Sequence, residues 1–118
     1  MADLDIDLAR FEHECRTFAD EWLGSTVVVE SERRYNFIKI RIHVRSSIFI
    51  ELYHNAQNGR GSYALIRDNQ RIFGYDGVIR WHRHPLGDSE KHEPCAKPRL
   101  SQALREMKHI VESLPTGE

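Results

Sequence analysis

Apolar residues in the first part of the chain recur at alternating intervals of four and three: Leu4, Leu8, Phe11, Cys15, Phe18 and Trp22. That spacing stacks side chains on one face of a helix, with Glu12, Glu14, Arg16, Asp20 and Glu21 filling the other side. Gly24 is a natural stop, so a helix is predicted over 4–23. Cys15 falls inside the stripe and reads as a buried structural thiol.

The period then changes from helical to alternating. Val27, Val28 and Val29 are β-branched and favour a strand. Between Tyr35 and Arg45, Ile38, Ile40, Ile42 and Val44 alternate with Lys39, Arg41, His43 and Arg45, the pattern of a half-buried antiparallel strand. After Ser46-Ser47 the alternation resumes with Ile48, Ile50 and Leu52 inward and Phe49, Glu51 and Tyr53 outward; Glu51 is placed to neutralise part of the basic row. Tyr63–Ile66 and Arg71–Tyr75 form a hairpin, turned by Arg67-Asp68-Asn69-Gln70, and Val78, Ile79 and Trp81 add a short strand or pin the following loop.

Pro85, Gly87, Pro94 and Pro98 interrupt regular structure through a histidine-rich loop spanning 80–98. Leu100, Leu104, Met107, Val111 and Leu114 then restore a helical stripe, predicting a helix over 99–114. Two helices cannot supply the crossovers of a parallel sheet. The expected fold is α+β: one domain spanning 1–118, with an antiparallel meander of about five strands in the region 26–81. The N-terminal and C-terminal helices cover one face of it in two layers.

Length supports this picture, because 118 residues fit one domain with one core. A formal net charge of -1 means that a polyanion-binding surface must arise from local segregation of charge. Residues 33–45 carry Arg33, Arg34, Lys39, Arg41 and Arg45 against no acid. With both helices on the aliphatic side, the opposite face presents Lys39, Arg41, His43, Arg45, Phe49 and Tyr53. This mixture of cations and rings suits phosphates and stacked bases, and equally an acidic protein partner, a homodimer or plain solvation. The longest apolar run is far short of a membrane span, and the acidic opening lacks an apolar signal core. Two cysteines do not make a disulfide framework, so a cytoplasmic protein with free thiols and no membrane association is expected.

The chemistry concentrates in Arg80-Trp81-His82-Arg83-His84-Pro85 and Lys91-His92-Glu93-Pro94-Cys95. His82, His84, His92 and Cys95 form an HxH…HxxC set that suits zinc, but it lacks paired-cysteine spacing, and Arg83 and Lys91 raise the cost of holding a cation. No bound metal or cofactor is therefore expected. Imidazoles near neutral pH exchange protons in both directions. Cleavage of RNA needs one group to take the 2′-hydroxyl proton and another to protonate the leaving oxygen. His82 or His84 with His92 supplies that pair, and Arg80 or Arg83 steadies the phosphorane. Tyr75 and Asp76 are close enough in sequence to orient one ring. Trp81 reads as a partly buried anchor of the loop, with base stacking as its functional alternative.

The order YNFIKIRIHV (Tyr35 to Val44), SYALI (Ser62 to Ile66), RIFGYDG (Arg71 to Gly77), WHRHP (Trp81 to Pro85) and KHEP (Lys91 to Pro94) resembles the TumE-like family of small prokaryotic toxins, over about residues 24–112. Members commonly place a tyrosine-aspartate step before a histidine-rich loop. The resemblance implies a toxin made beside a cognate antitoxin that inhibits it, acting on RNA. This chain departs from the family in carrying His82-Arg83-His84 in place of an uninterrupted histidine pair. The residues alone also admit a non-enzymatic protein- or nucleic-acid-binding module, and a metal-dependent hydrolase built on the same loop.

Overall fold

The structure is a computed structural model and describes residues 3–115. Helix α1 runs Leu4–Leu23. The Asp3 carboxylate caps it by accepting from the Ile6 amide at 3.2 Å, and Asp5 and Asp7 place further negative charge against the free N–H groups of the first turn. Gly24 ends it in the left-handed region (φ 86°), where its amide still reaches the Asp20 carbonyl at 2.9 Å. Leu8, Phe11, Cys15 and Ala19 form the buried stripe.

Seven strands follow: β1 (Val28–Arg33), β2 (Phe37–Arg45), β3 (Ile48–Asn55), β4 (Gly61–Arg67), β5 (Gln70–Gly77), β6 (Trp81–His84) and β7 (Glu93–Pro94). They pair in chain order, antiparallel throughout, and α2 (Leu100–Ser113) closes the domain. The fold is the expected α+β meander with a helix at each end. Two of its seven strands go beyond what hydrophobic alternation marks. β1 extends through Ser31, Glu32 and Arg33 because it lies at the sheet edge, where a strand need not bury alternate residues. β7 pairs only Pro94 with His82 and Glu93 with Arg83, and so leaves no periodic signature.

The β4–β5 turn rests on Asp68 (φ 52°) and Asn69 (φ 62°). Both tolerate left-handed backbone, which a tight hairpin with right-handed strand twist requires at its two central positions. Both helices pack on one face of the sheet. Ile38, Ile40, Ile42, Ile50, Leu52, Leu65 and Phe73 meet Leu8, Phe11, Cys15, Leu104 and Met107 in a single core. Fully burying side chains of this type contributes about 1.5–3 kcal/mol each before chain entropy is charged against it. No helix among the described residues is long and apolar enough to cross a membrane.

Two β-bulges alter which face a side chain occupies. Between His43 and Arg45 the register slips, so Arg45 stands opposite Ile48, a core position. Arg45 therefore does not join the expected basic row. Its guanidinium turns to the helix side and donates to the Pro115 carbonyl at 3.1 Å. A second slip between Leu65 and Ile66 sets Arg71 opposite Ile66.

Candidate functional site

Strand β6 alternates cleanly, and that alternation divides the histidine-rich segment between two faces. His82 stands opposite Asp76, and His84 opposite Gly74, on the face away from the helices. The Asp76 carboxylate reaches diagonally to His84, with Oδ2 3.1 Å from Nε2. On the other side of the ring, His84 Nδ1 lies 3.0 Å from the Ser89 carbonyl oxygen. The loop between β6 and β7 folds back over this imidazole, tightened by Asp88 and Lys91 amides bonded to the Pro85 and Asp88 carbonyls, and His84 is left with 0% exposure. A carbonyl and a carboxylate both only accept. Satisfying both contacts therefore takes two protons, shared between one imidazole and Asp76.

His92 returns from the far end of the loop and sets its ring edge-on to His84, centroids 4.5 Å apart at 71°. The His82 ring is 5.7 Å from His92 at 78°. The three imidazoles that the sequence separates by up to ten positions thus form one cluster, with His84 buried, His82 half-buried and His92 exposed. Among the described residues no group of three or more His, Cys, Asp or Glu side chains is arranged to hold a metal ion. Cys95 stands apart from the cluster. It packs against the core, and its charged neighbours Arg83, Glu106 and Glu93 belong to the helix side. Burial pushes its thiol above the ordinary range.

Two further proposed supports of the cluster lie elsewhere. Arg83 and Tyr75 sit opposite each other on the helix face, so the sheet separates both from the imidazoles. Arg83 lies over the Phe73 ring at 5.1 Å, with Glu93 at 3.3 Å and Glu106 at 4.0 Å. The Tyr75 hydroxyl donates to Glu106, and burial together with that carboxylate pushes the phenol up to about 12. An odd-numbered residue of β6 cannot share a face with His82 and His84 while the strand stays extended. Arg80 is exposed in the turn between β5 and β6 and remains the cation of the original set that the sheet does not remove from the histidine side.

Trp81 also faces the helix side, as an anchor. A Cβ on Gly77 would come within 2.2 Å of the Trp81 ring, so glycine there is what allows the indole to lie on the sheet. Tyr63 flanks the ring at 5.5 Å and Lys97 at 5.7 Å.

Lys39, Arg41, His43, Phe49 and Tyr53 do share the uncovered face, but acids interleave with them. Arg41 pairs with Glu51 at 2.6 Å and covers Phe49 at 4.3 Å. His43 Nε2 meets Glu30 at 2.6 Å, and this bond holds the Glu30 carboxyl below its ordinary range. Glu32 stands across from Lys39. Glu30 and Glu32 were not legible as neighbours of this row, because the alternating pattern does not extend β1 that far. Ser89 and Glu106 were likewise missed: one acts through its main chain, and the other comes from a helix distant in sequence.

No protein-family model matches this chain, and no curated protein or solved structure matches it either.

Proposed function

We propose that the protein is an RNA-directed toxin whose imidazole cluster cleaves phosphodiesters by metal-independent proton exchange. The observation that carries this reading is the contact of exposed His92 with buried His84, itself held between Asp76 and Ser89. In that arrangement the partly exposed His82 and His92 exchange protons with substrate. One ring takes the 2′-hydroxyl proton, and the other protonates the departing 5′-oxygen. His84 is a positioning residue. It fixes the place and orientation of the His92 ring while both its own nitrogens are engaged. Arg80 supplies positive charge for the phosphorane. The toxin setting, a cytoplasmic chain held in check by a cognate antitoxin, is supported by the sequence resemblance over residues 24–112.

The mixed-charge sheet face favours a second role beside this one. Arg41 and His43 are already paired with Glu51 and Glu30, so the row presents both signs to a partner. That chemistry matches a protein surface, such as an antitoxin or a second copy of the chain, better than a phosphate backbone.

Purified protein in chelator should cleave single-stranded RNA, with His92→Gln and His82→Gln each abolishing cleavage while circular dichroism and urea midpoint stay near wild type. Intact RNA with folded wild-type protein in chelator overturns the proposal. Full cleavage by both variants does so as well.

A further inference from the structure

The turn between β5 and β6 carries Val78 and Ile79 at its tip, 59% and 90% exposed. Gly77 and Trp81 pair across its base, so the loop itself is Val78-Ile79-Arg80. Tight turns favour Gly, Asn, Asp, Pro and Ser, whose side chains suit the bend and the surrounding water. Two branched aliphatics at such a tip contradict that local preference, and Ile79 buries almost nothing in return. Breaks of this kind concentrate at functional sites.

The half-buried Trp81 indole extends the apolar patch. It lies on bare backbone: a Cβ on Gly61 would come within 3.2 Å of the ring, and one on Gly77 within 2.2 Å. The tip, the indole and Arg60 from the β3–β4 loop border a recess of about 250 Å³. Small-molecule sites run larger, roughly 300–1,000 Å³, so this one suits a single side chain.

The charge around the recess is positive. Arg60 and Lys97 are exposed, and neither forms an ion pair among the described residues. The Lys97 ammonium lies 5.7 Å from the Trp81 ring centre and 3.5 Å from the Gly59 carbonyl oxygen, which leaves donors unused. Arg80 adds a third cation in the turn. No carboxylate among the described residues lines the recess. Asp76 is turned to His84 on the opposite face, and Asp7 is turned to His54.

We infer that this end of the sheet docks an acidic segment of a partner protein. An Asp or Glu side chain enters the recess within reach of Arg60 and Lys97, and a neighbouring apolar side chain covers Ile79 and the edge of Trp81. An exposed apolar patch rimmed by charge has the make-up of a protein contact. A nucleic acid strand would match the cations but offers phosphates and polar base edges to the two aliphatics. A bilayer would take the aliphatics but is flat, and leaves the recess unfilled. The surface lies apart from the imidazole cluster, and the inference stands whether or not the chain cleaves RNA.

Selection of random displayed peptides on the full chain tests it, followed by calorimetric titration with the synthetic form of the most enriched peptide. The enriched sequences should place Asp or Glu beside an aliphatic or aromatic residue and bind one-to-one. Ile79→Ser, at an exposed position, should weaken that binding about tenfold. Arg60→Gln combined with Lys97→Gln should weaken it about fivefold or more, and added salt should act in the same direction. His92→Gln should leave it unchanged. Absence of any enriched peptide, enriched peptides without acids, or indifference to Ile79→Ser overturns the inference. So does a different occupant: Ile79-dependent binding of single-stranded RNA, or of phosphatidylcholine vesicles carrying phosphatidylserine, tighter than that of the peptide.

Discussion

His84 and Asp76 meet 3.1 Å apart on the uncovered face of the sheet, with the imidazole wholly sealed from solvent and the carboxylate half-exposed. The pair is reached diagonally across β5 and β6, so it depends on register rather than on neighbouring positions in sequence. Breaking it leaves a buried ring nitrogen without a partner. Asp76→Ala should therefore cost about 1–3 kcal/mol in urea denaturation. The His92 ring rests on His84, so the RNA cleavage proposed for the cluster should fall more steeply than stability, by roughly 10–100-fold. Unchanged cleavage with an unchanged urea midpoint would show that this pair neither holds the cluster nor supports the domain.

Gly77→Ala introduces a methyl where the indole of Trp81 already lies. Overpacking of this kind costs about 1–3 kcal/mol, and relief requires the ring to move. The expected outcome is a lowered melting temperature with a red-shifted tryptophan emission. Pairing the change with Trp81→Ala should recover less than the sum of the two single losses, a coupling that a double-mutant cycle measures.

His54 lies buried against Phe11, its ring stacked at 4.5 Å, and burial lowers its pKa below the ordinary histidine value even though Asp7 at 3.4 Å pulls the other way. The unfolded chain therefore binds this proton more readily than the folded one. The associated stability is present above the unfolded pKa, near 6.5, and is lost as pH falls through the interval down to the folded value. In urea titrations, His54→Phe should gain on wild type steadily as pH drops from 7.5 to 5. A constant difference between the two proteins across that range contradicts the assignment.

Both thiols are pushed up by burial, Cys15 far more than Cys95. The thiolate is the reacting form, so a disulfide reagent at pH 7.5 should leave Cys15 untouched in the native protein and modify Cys95 slowly. Both of the two cysteines should react in denaturant. Rapid native reaction of Cys15→Ser protein would place Cys95 in a more open setting than its packing against the core implies.

Much of the architecture follows from the chain read in one dimension. The spacing of Leu8, Phe11, Cys15 and Ala19, the alternation of Ile38, Ile40 and Ile42, and the stripe of Leu104, Met107 and Val111 each specify an element and its buried face. Periodicity reports a local property, the side of an element that meets the core. The collection of imidazoles in one segment was equally plain, and so was Asp76 as a neighbour in sequence.

Tertiary structure alone decided which of those residues meet. β6 runs extended, so His82 and His84 turn to one face while Arg83 turns to the other, beside Tyr75 and Glu106. A single-residue bulge removed Arg45 from the row that Lys39, Arg41 and His43 still share. Edge pairing brought Glu30 against His43. The Ser89 main chain, which no side-chain pattern announces, completed the enclosure of His84. A strand's two-residue period converts one step of register into a change of face. The partners of these polar groups were therefore settled by strand pairing and loop closure, whereas the buried aliphatics carried their orientation in the sequence itself.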